Sequence, residues 1–129
     1  MAQINLSGKV SVVTGAAQGL GQAIAEGLAD AGAKIAMCGL GADALDAVAN
    51  TIRGQIGDAN ILSAECDISD DIATAAFIDA VISKFGRIDA LINNAGLGCA
   101  AVRPDFMSNP VPIWQLDPAE WRRVVEVNT

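Results

Sequence analysis

A glycine-rich turn separates an apolar stretch from a helical pattern near the beginning of the sequence. Val10–Thr14 is mostly β-branched, which is typical of a buried strand, and Gly15, Gly19 and Gly21 follow it in the spacing G-x-x-x-G-x-G. A strand that leads through such a turn into a helix exposes the first backbone N–H groups of that helix, and these groups and the helix dipole bind phosphate. The spacing predicts a phosphate-binding corner. A turn that is simply rich in small residues is the alternative.

Polar residues follow two later apolar stretches. Asp67 closes the stretch Ile61–Cys66, and Asn93–Gly96 follows Ile88–Ile92. Taken alone, Asp67 is an acid in a turn or a helix cap. Asn-Asn-Ala-Gly is equally well suited to a simple turn after a strand.

The charge balance and the missing residue types exclude several kinds of site. The formal net charge is −7 and the eight basic residues are scattered, so nucleic acid is not an expected partner. Because the sequence has no histidine, a transition-metal site would lack its commonest ligand, and no metal site is predicted. Cys38, Cys66 and Cys99 never form a C-x-x-C pair and are predicted to be buried thiols. The sequence also has no tyrosine.

The hydrophobic pattern predicts alternating strands and helices, with apolar residues at helical spacing between short apolar stretches. The last predicted helix has a clear start: Asp117 is its N-terminal cap and Pro118 its first helical residue. Glu120 completes a capping box. The predicted strands are Val10–Thr14, Lys34–Gly39, Ile61–Cys66 and Ile88–Ile92; the predicted helices begin after Gly21, at Asp43, at Ser69 and at Asp117, with loops at residues 54–60 and 97–116.

This alternation predicts an α/β fold. Right-handed crossovers between parallel strands, together with a reversal of the winding direction, give a doubly wound parallel sheet with the order 3-2-1-4 and flanking helices. No repeat or linker divides the sequence, so we expect one domain over residues 1–129. Polar residues and glycines interrupt the longest uncharged stretch, and residues 1–9 contain no leader pattern. We therefore expect a cytoplasmic protein with no membrane partner.

Four motifs occur in an order that resembles a known family. The sequence resembles the N-terminal half of a short-chain dehydrogenase/reductase, and the resemblance covers the chain apart from residues 97–116. It implies an incomplete Rossmann-like fold and hydride transfer between a nicotinamide cofactor and a small carbonyl or alcohol substrate. The motifs are Thr14-Gly15-x-x-x-Gly19-x-Gly21, Cys66-Asp67-Ile68, Asn93-Asn94-Ala95-Gly96 and Val127-Asn128-Thr129.

The resemblance implies a role for each matching residue. Asp67 would accept a hydrogen bond from the adenine amino group, with help from the Ile68 backbone, and Asn93 would stabilise the sheet. Asn128 matches a catalytic-helix asparagine that supports a proton relay, although a polar residue at a frayed helix end is the alternative. We expect Asn128 to face inward beside Trp121 and Val125. The pyrophosphate would lie on Gly15, Gly19, Leu20 and Gly21, and the ribose near Asn94, Ala95 and Gly96.

The choice between NAD and NADP depends on the end of the second strand. NAD-preferring relatives usually carry an acid there, and NADP-preferring ones carry a basic residue there or at the position of Gln18. This sequence has Gly39, Leu40 and Gly41, so it offers neither group. A 2′-phosphate without a nearby cation is poorly compensated, and we therefore expect NAD to be favoured over NADP.

The residues that perform the family reaction are missing. That reaction needs a serine and a Tyr-x-x-x-Lys pair, which in the family follow the position of Asn128. We therefore interpret the sequence as the first half of a longer enzyme, inactive by itself and a homo-oligomer (dimer or tetramer) when complete. A non-catalytic dinucleotide-binding or assembly module made of a half Rossmann fold is the alternative, because residues 90–92 would form an open sheet edge.

Residues 97–116 are long for a connection and are interpreted as a substrate-side loop. The substrate itself is not determined by the sequence. Trp114 and Trp121 are predicted to be packing residues rather than substrate contacts. The apolar residues that could line a substrate pocket are Cys99, Val102, Phe106, Met107, Pro110 and Trp114.

Overall fold

The computed structural model describes residues 4–129, so the first three residues of the predicted domain lie outside the described residues. The chain forms two compact units, one that ends at Asn94 and a second over Ala95–Thr129. Each unit is described by itself. No helix among the described residues has the length and apolar character needed to cross a membrane.

The first unit alternates strands and helices as predicted. Its last strand is only three residues long, and a 3-10 turn at Asp58–Asn60 precedes the third strand. The second unit contains two 3-10 turns, at Cys99–Ala101 and Ile113–Gln115, and one helix, α4 (Pro118–Asn128). The elements of the first unit are β1 (Val10–Thr14), α1 (Gly19–Asp30), β2 (Lys34–Gly39), α2 (Ala42–Ile56), β3 (Ile61–Glu65), α3 (Asp71–Phe85) and β4 (Ala90–Ile92).

The four strands form one parallel sheet in the order β3-β2-β1-β4, which confirms the predicted topology. Val12 of β1 lies opposite Ala36 of β2 on one side and Leu91 of β4 on the other. Because all strands run in the same direction, the turns that follow them meet at one edge of the sheet, here called the carboxyl edge. The opposite edge is called the amino edge.

Alternate residues of the central strands face two separate apolar layers. Val13, Ile35 and Met37 pack on one face, against buried residues of α1 and α2. Val12 and Ala36 pack on the other face, against buried residues of α3. The two-residue period of a strand places neighbouring side chains on opposite faces, so these strands are buried on both sides. The central strands are therefore rigid supports for the turns that follow them.

Two predicted boundaries around α2 are wrong. The helix continues through Gly54 and ends at Ile56, where Gly57 adopts the left-handed φ of 80°. Gly54 is tolerated because stable packing of the apolar face of α2 outweighs the roughly 1 kcal/mol that a helical glycine costs. The helix begins after Gly41, so Asp43 lies in the first turn and is not the cap.

Other boundaries shift by one or two residues. Asp70, and not Ser69, caps α3, because its carboxylate accepts hydrogen bonds from the N–H groups of Ile72 and Ala73 at 2.9 and 3.1 Å. β3 ends at Glu65, one residue before the predicted end, and β4 begins two residues later than predicted. The predicted cap of α4 is confirmed, since the Asp117 carboxylate accepts a hydrogen bond from Ala119 N–H at 2.7 Å.

Several residues that were predicted to be buried are exposed. Ile82, which the helical spacing of apolar residues in α3 predicts to be buried, is 45% exposed. Trp114 and Trp121 are 80% and 54% exposed, so the prediction that they are packing residues is wrong. Cys38 and Cys66 are buried, as predicted, but Cys99 is exposed. The apolar pattern of residues 97–128 thus does not form a buried core in this chain.

Candidate functional site

The turn between β1 and α1 has the features of an anion-binding corner. Gly15 and Gly19 adopt positive φ angles of 65° and 59°, which favour glycine. Among the described residues, no side chain caps α1: Gln18 takes the cap position in an extended conformation, without a hydrogen bond from its own side chain. Leu20 lies in the first turn with 70% of its surface exposed. The first backbone N–H groups of α1 therefore point to the carboxyl edge, where they can bind a phosphate.

Gly21 lies where a larger residue does not fit. A Cβ atom there would come within 2.5 Å of Asn94 Nδ2 and would also overlap the Gly15 carbonyl. A Cβ at Gly19, by contrast, would have no described atom within 4 Å. Gly21 is thus required for packing of helix against strand, whereas Gly19 borders open space in which a ligand can approach the backbone.

Asn94 connects the end of β4 to this corner. Its side-chain Nδ2 donates hydrogen bonds to the carbonyl oxygens of Thr14 and Gly15, at 3.0 and 3.1 Å, and its backbone N–H donates to Thr14 Oγ1 at 3.1 Å. Thr14 Oγ1 in turn donates to the Ile92 carbonyl at 3.4 Å. These hydrogen bonds fix the start of the glycine turn. This role of Thr14 was not predicted, although a threonine as the last residue of the strand before the turn is a signal that could have indicated it.

The end of β2 lies directly beside the glycine turn. Ala16 N–H donates to the Cys38 carbonyl at 3.0 Å, and a Cβ on Gly39 would lie 3.5 Å from Ala16 N, an ordinary van der Waals distance. Leu40 is 50% exposed at the same edge. The structure therefore brings Gly39 and Leu40 next to the turn that holds Gly15 to Gly21.

Glu65 is a polar residue of this edge that the sequence analysis missed. It is the last residue of β3, it lies opposite Gly39 in the sheet, and its Oε1 accepts a hydrogen bond from Gly41 N–H at 3.1 Å. Its partner is 24 positions away along the chain. The sequence offers no local signal for this contact, because it depends on the register between two strands.

Asp67 begins the turn that leads from β3 to α3. Its Oδ1 accepts hydrogen bonds from the backbone N–H and the hydroxyl of Ser69, at 3.0 and 2.6 Å. This is the turn geometry that was considered as the alternative for Asp67. Ile68 is half-buried and packs against the apolar layer that contains Cys38 and Cys66. Both residues lie at the carboxyl edge of the sheet.

The remaining predicted site residues belong to the second unit. Asn128, near the end of α4, accepts a hydrogen bond from Leu97 N–H at 2.8 Å and donates one to the Leu97 carbonyl at 2.9 Å. A Cβ on Gly96 would lie 3.1 Å from Asn128 Oδ1. Asn128 is exposed, and Trp121 and Val125 on the same helix are exposed too, so the prediction that this face points inward is wrong. Asn128 therefore fastens α4 to Leu97, which directly follows Ala95 and Gly96.

Two ionisable groups of the first unit have shifted pKa values, and neither belongs to the site. Burial raises the pKa of the Cys38 thiol from 9.0 to about 12, and the neighbouring Cys66 adds to the rise. Hydrogen bonds hold the pKa of Asp89 below its ordinary value of 3.8; the largest contribution comes from Val10 N–H, followed by Arg87. Cys38 is therefore a structural thiol, and Asp89 fastens the start of β4 to β1.

The carboxyl edge of the first unit can therefore bind a ligand with two kinds of groups. Backbone N–H groups at α1 suit an anion, and the carboxylates of Glu65 and Asp67 suit hydroxyl or amino donors. A molecule that carries phosphate next to a sugar and a base matches this distribution. The site residues of the first unit that the structure brings to this edge are Gly15, Gln18, Gly19, Leu20, Gly21, Gly39, Leu40, Asp67, Ile68 and Asn94.

Comparison with known proteins agrees with this geometry. The family model described as short chain dehydrogenase matches residues 9–129. The short chain dehydrogenase/reductase dpmpG of Macrophomina phaseolina is 35% identical over 124 residues, which cover 96% of this chain and 65% of that protein. The D-threitol dehydrogenase of Mycolicibacterium smegmatis is 37% identical over 123 residues, which cover 95% of this chain and 43% of that protein. The chain thus spans less than two thirds of the length of these relatives.

Solved structures give the same result for the fold. A metagenomic short-chain oxidoreductase in complex with NADP is 38% identical, with a TM-score of 0.81 over 95% of this chain and 51% of that one. The 3-ketoacyl-(acyl-carrier-protein) reductase from Brucella melitensis, complexed with NADH, is 34% identical, with a TM-score of 0.81 over 97% of this chain and 46% of that one. Both NADP and NADH therefore occur among structures that this chain resembles.

Proposed function

Because the chain belongs to the short-chain dehydrogenase family, we propose that it is the cofactor-binding part of an oxidoreductase. The proposed reaction transfers a hydride between a nicotinamide cofactor and a small carbonyl or alcohol substrate. The observation that carries the proposal is the β1–α1 corner, where the start of α1 lacks a side-chain cap among the described residues and Gly19 borders open space. A cradle of this kind fits a pyrophosphate.

The chain's own residues then have distinct tasks. The turn from Gly15 to Gly21 binds the pyrophosphate through backbone N–H groups, and Asn94 keeps that turn in place through the Thr14 and Gly15 carbonyls. Asp67 and Ile68 flank the adenine. A nicotinamide cofactor bound here would supply or accept the hydride. Binding and orientation are the contributions of the first unit.

In this proposal, residues of the second unit contribute to proton transfer and to substrate binding. Ala95 and Gly96 lie close to the cofactor ribose. Asn128 supports a proton relay, and its side-chain amide is hydrogen-bonded to the Leu97 backbone. Residues 97–116 form the substrate-side loop. The serine and the Tyr-x-x-x-Lys pair of the family are expected beyond residue 129, so we expect the 129-residue chain to bind cofactor without turnover.

The open edge of the sheet supports the idea of a larger protein. β4 is the last strand on its side, and Leu91 on it is 53% exposed. An apolar strand edge of this kind is normally covered by further chain or by another subunit. We propose that further residues of the enzyme cover it, that the complete protein is a homo-oligomer, and that it works in the cytoplasm.

The test is to express the complete reading frame that contains this chain and to titrate it with NADH and NADPH. We expect binding of at least one dinucleotide and oxidation of the reduced cofactor in the presence of a ketone or aldehyde from a substrate panel. Replacement of the expected tyrosine by phenylalanine should abolish turnover but preserve binding. A reading frame that ends at Thr129, and whose product forms a discrete dimer without turnover, would refute the proposal in favour of an assembly module.

A further inference from the structure

The cofactor preference of this protein has no obvious determinant at the end of β2, where Gly39 carries no side chain. We propose that Glu65, at the end of the neighbouring strand β3, is the specificity-determining residue that accepts hydrogen bonds from the adenosine ribose of NAD and disfavours the 2′-phosphate of NADP. The inference rests on the proposed function. It identifies which residue of this chain sets the cofactor preference.

The position of Gly39 indicates where the ribose would lie. In dinucleotide-binding sheets an acidic residue about 20 positions after the glycine turn binds the ribose 2′-hydroxyl. Gly39 occupies that place in the fold, since a Cβ there would lie 3.5 Å from Ala16 N and 3.6 Å from the Ala17 Cβ. Gly39 is buried and has no side chain, so the residue next to the phosphate-binding turn contributes no carboxylate.

Glu65 brings a carboxylate to this same place from the adjacent strand. Glu65 and Gly39 are partners in the parallel ladder, so their side chains leave the same face of the sheet. Glu65 Oε1 accepts a hydrogen bond from Gly41 N–H at 3.1 Å, which places the carboxylate across the end of β2. Glu65 is exposed, and an ionised carboxylate has about four acceptor positions, so the contact with Gly41 leaves capacity for ribose hydroxyls.

The basic residues of the first unit lie at the other edge of the sheet. In residues 4–94, each of them is anchored near the start of a strand or in the last turn of a helix, and three of them contact carboxylates there. The described part of this unit therefore offers no cation at the carboxyl edge beside Gly39. These residues are Lys9, Lys34, Arg53, Lys84 and Arg87.

Charge then decides between the two cofactors. A ribose with two free hydroxyls donates hydrogen bonds to the Glu65 carboxylate, and such charge-assisted hydrogen bonds are stronger than neutral ones. A 2′-phosphate at the same place meets a like charge, without a basic residue of the first unit to compensate it. The structure thus supplies both an attractive element for NAD and a repulsive element against NADP, which is how specificity is commonly built.

The experiment compares Glu65→Gln with wild type in the protein expressed from its complete reading frame. Calorimetric titrations with NADH and NADPH give the ratio of the two affinities. Titrations with 5′-AMP and adenosine 2′,5′-bisphosphate test the adenosine half alone. The glutamine keeps an oxygen for Gly41 N–H but removes the charge, so we expect the ratio to shift about tenfold towards NADPH. Asp30→Asn, an exposed acid at the end of α1 on the amino edge, is the matched control and should not change the ratio.

The possible results separate this inference from the proposed function. If wild type binds NADH more tightly than NADPH and only the Glu65 variant loses the preference, the inference holds. Glu65→Ala should show the same shift. If wild type binds a dinucleotide but Glu65→Gln leaves the ratio unchanged, or shifts it no more than Asp30→Asn, the Glu65 inference is overturned and the proposed function stands. If folded wild type binds neither dinucleotide, both are overturned.

Discussion

Replacement of Gly21 by alanine tests the geometry of the glycine corner most directly. The new Cβ would lie 2.2 Å from the Gly15 carbonyl oxygen and 2.5 Å from Asn94 Nδ2, so the helix or the turn must move as well as the Asn94 side chain. Overpacking of this kind costs about 1–3 kcal/mol. Displacement of the amide also breaks its two hydrogen bonds to the Thr14 and Gly15 carbonyls, at roughly 1 kcal/mol each. Alanine recovers up to about 1 kcal/mol of helix propensity, so we expect a net loss of about 2–4 kcal/mol.

Gly27 provides a matched control in the same helix. A Cβ at Gly27 would meet no described atom within 4 Å, and Gly27 is not among the glycines with positive φ. Gly27→Ala should therefore stabilise the protein by about 0.5–1 kcal/mol through helix propensity alone. The same chemical change in one helix should thus have opposite signs at the two positions.

Urea denaturation followed by far-UV circular dichroism measures both changes as free energies of unfolding. Asn94→Ala removes one of the atoms that Gly21→Ala would strike and leaves the Gly15 carbonyl in place. Both single variants lose the two Asn94 side-chain hydrogen bonds, so the double variant should be less destabilised than the sum of the single variants, by about 2 kcal/mol. NADH titration of the same set should show weaker binding for Gly21→Ala and unchanged binding for Gly27→Ala. The reasoning would be refuted if Gly21→Ala were as stable as wild type, or if both alanines had the same effect.

Three further predictions concern other parts of the chain. The pKa of Asp89 is lowered in the folded state, so the contribution of this carboxylate to stability is present above pH 3.8 and is lost as pH falls through the folded pKa. Asp89→Asn should therefore lower the midpoint of thermal unfolding at pH 7. The difference from wild type should shrink below pH 3.8. Asn128→Ala removes both hydrogen bonds to Leu97, so amide hydrogen exchange at Leu97 should accelerate about fivefold, while an unchanged rate would contradict the contact. In native protein at pH 8 a thiol reagent should modify the exposed Cys99 but not Cys38, whose burial raises its pKa to about 12; equal modification of both would contradict the core packing.

The fold could be predicted to a large extent because its signals are local. Val10–Thr14 is mostly β-branched and is buried along its whole length, and glycine is required at Gly15 and Gly21 by conformation and packing. Strand order followed from the alternation of strands and helices, the handedness of crossovers and the reversal of winding that doubly wound sheets have, and these rules do not need the identity of contacts. The sequence was less informative about the ends of elements. Whether α2 stops at Gly54 or continues to Ile56 depends on packing against the sheet.

The sequence by itself determined which chain segments form the parallel sheet and that the tyrosine of the family reaction is missing, and it predicted a phosphate-binding corner at Gly15 to Gly21. Only the tertiary structure decided which side chains support that site. Asn94 reaches Thr14 across 80 positions, and Glu65 reaches Gly41 across 24. Contacts of this kind depend on which strands are neighbours and in which register, and a shift of one residue would turn Glu65 to the other face of the sheet. The spacing of residues along the chain does not show which residues of distant strands lie beside each other, because the hydrogen bonds between those strands set their order and register.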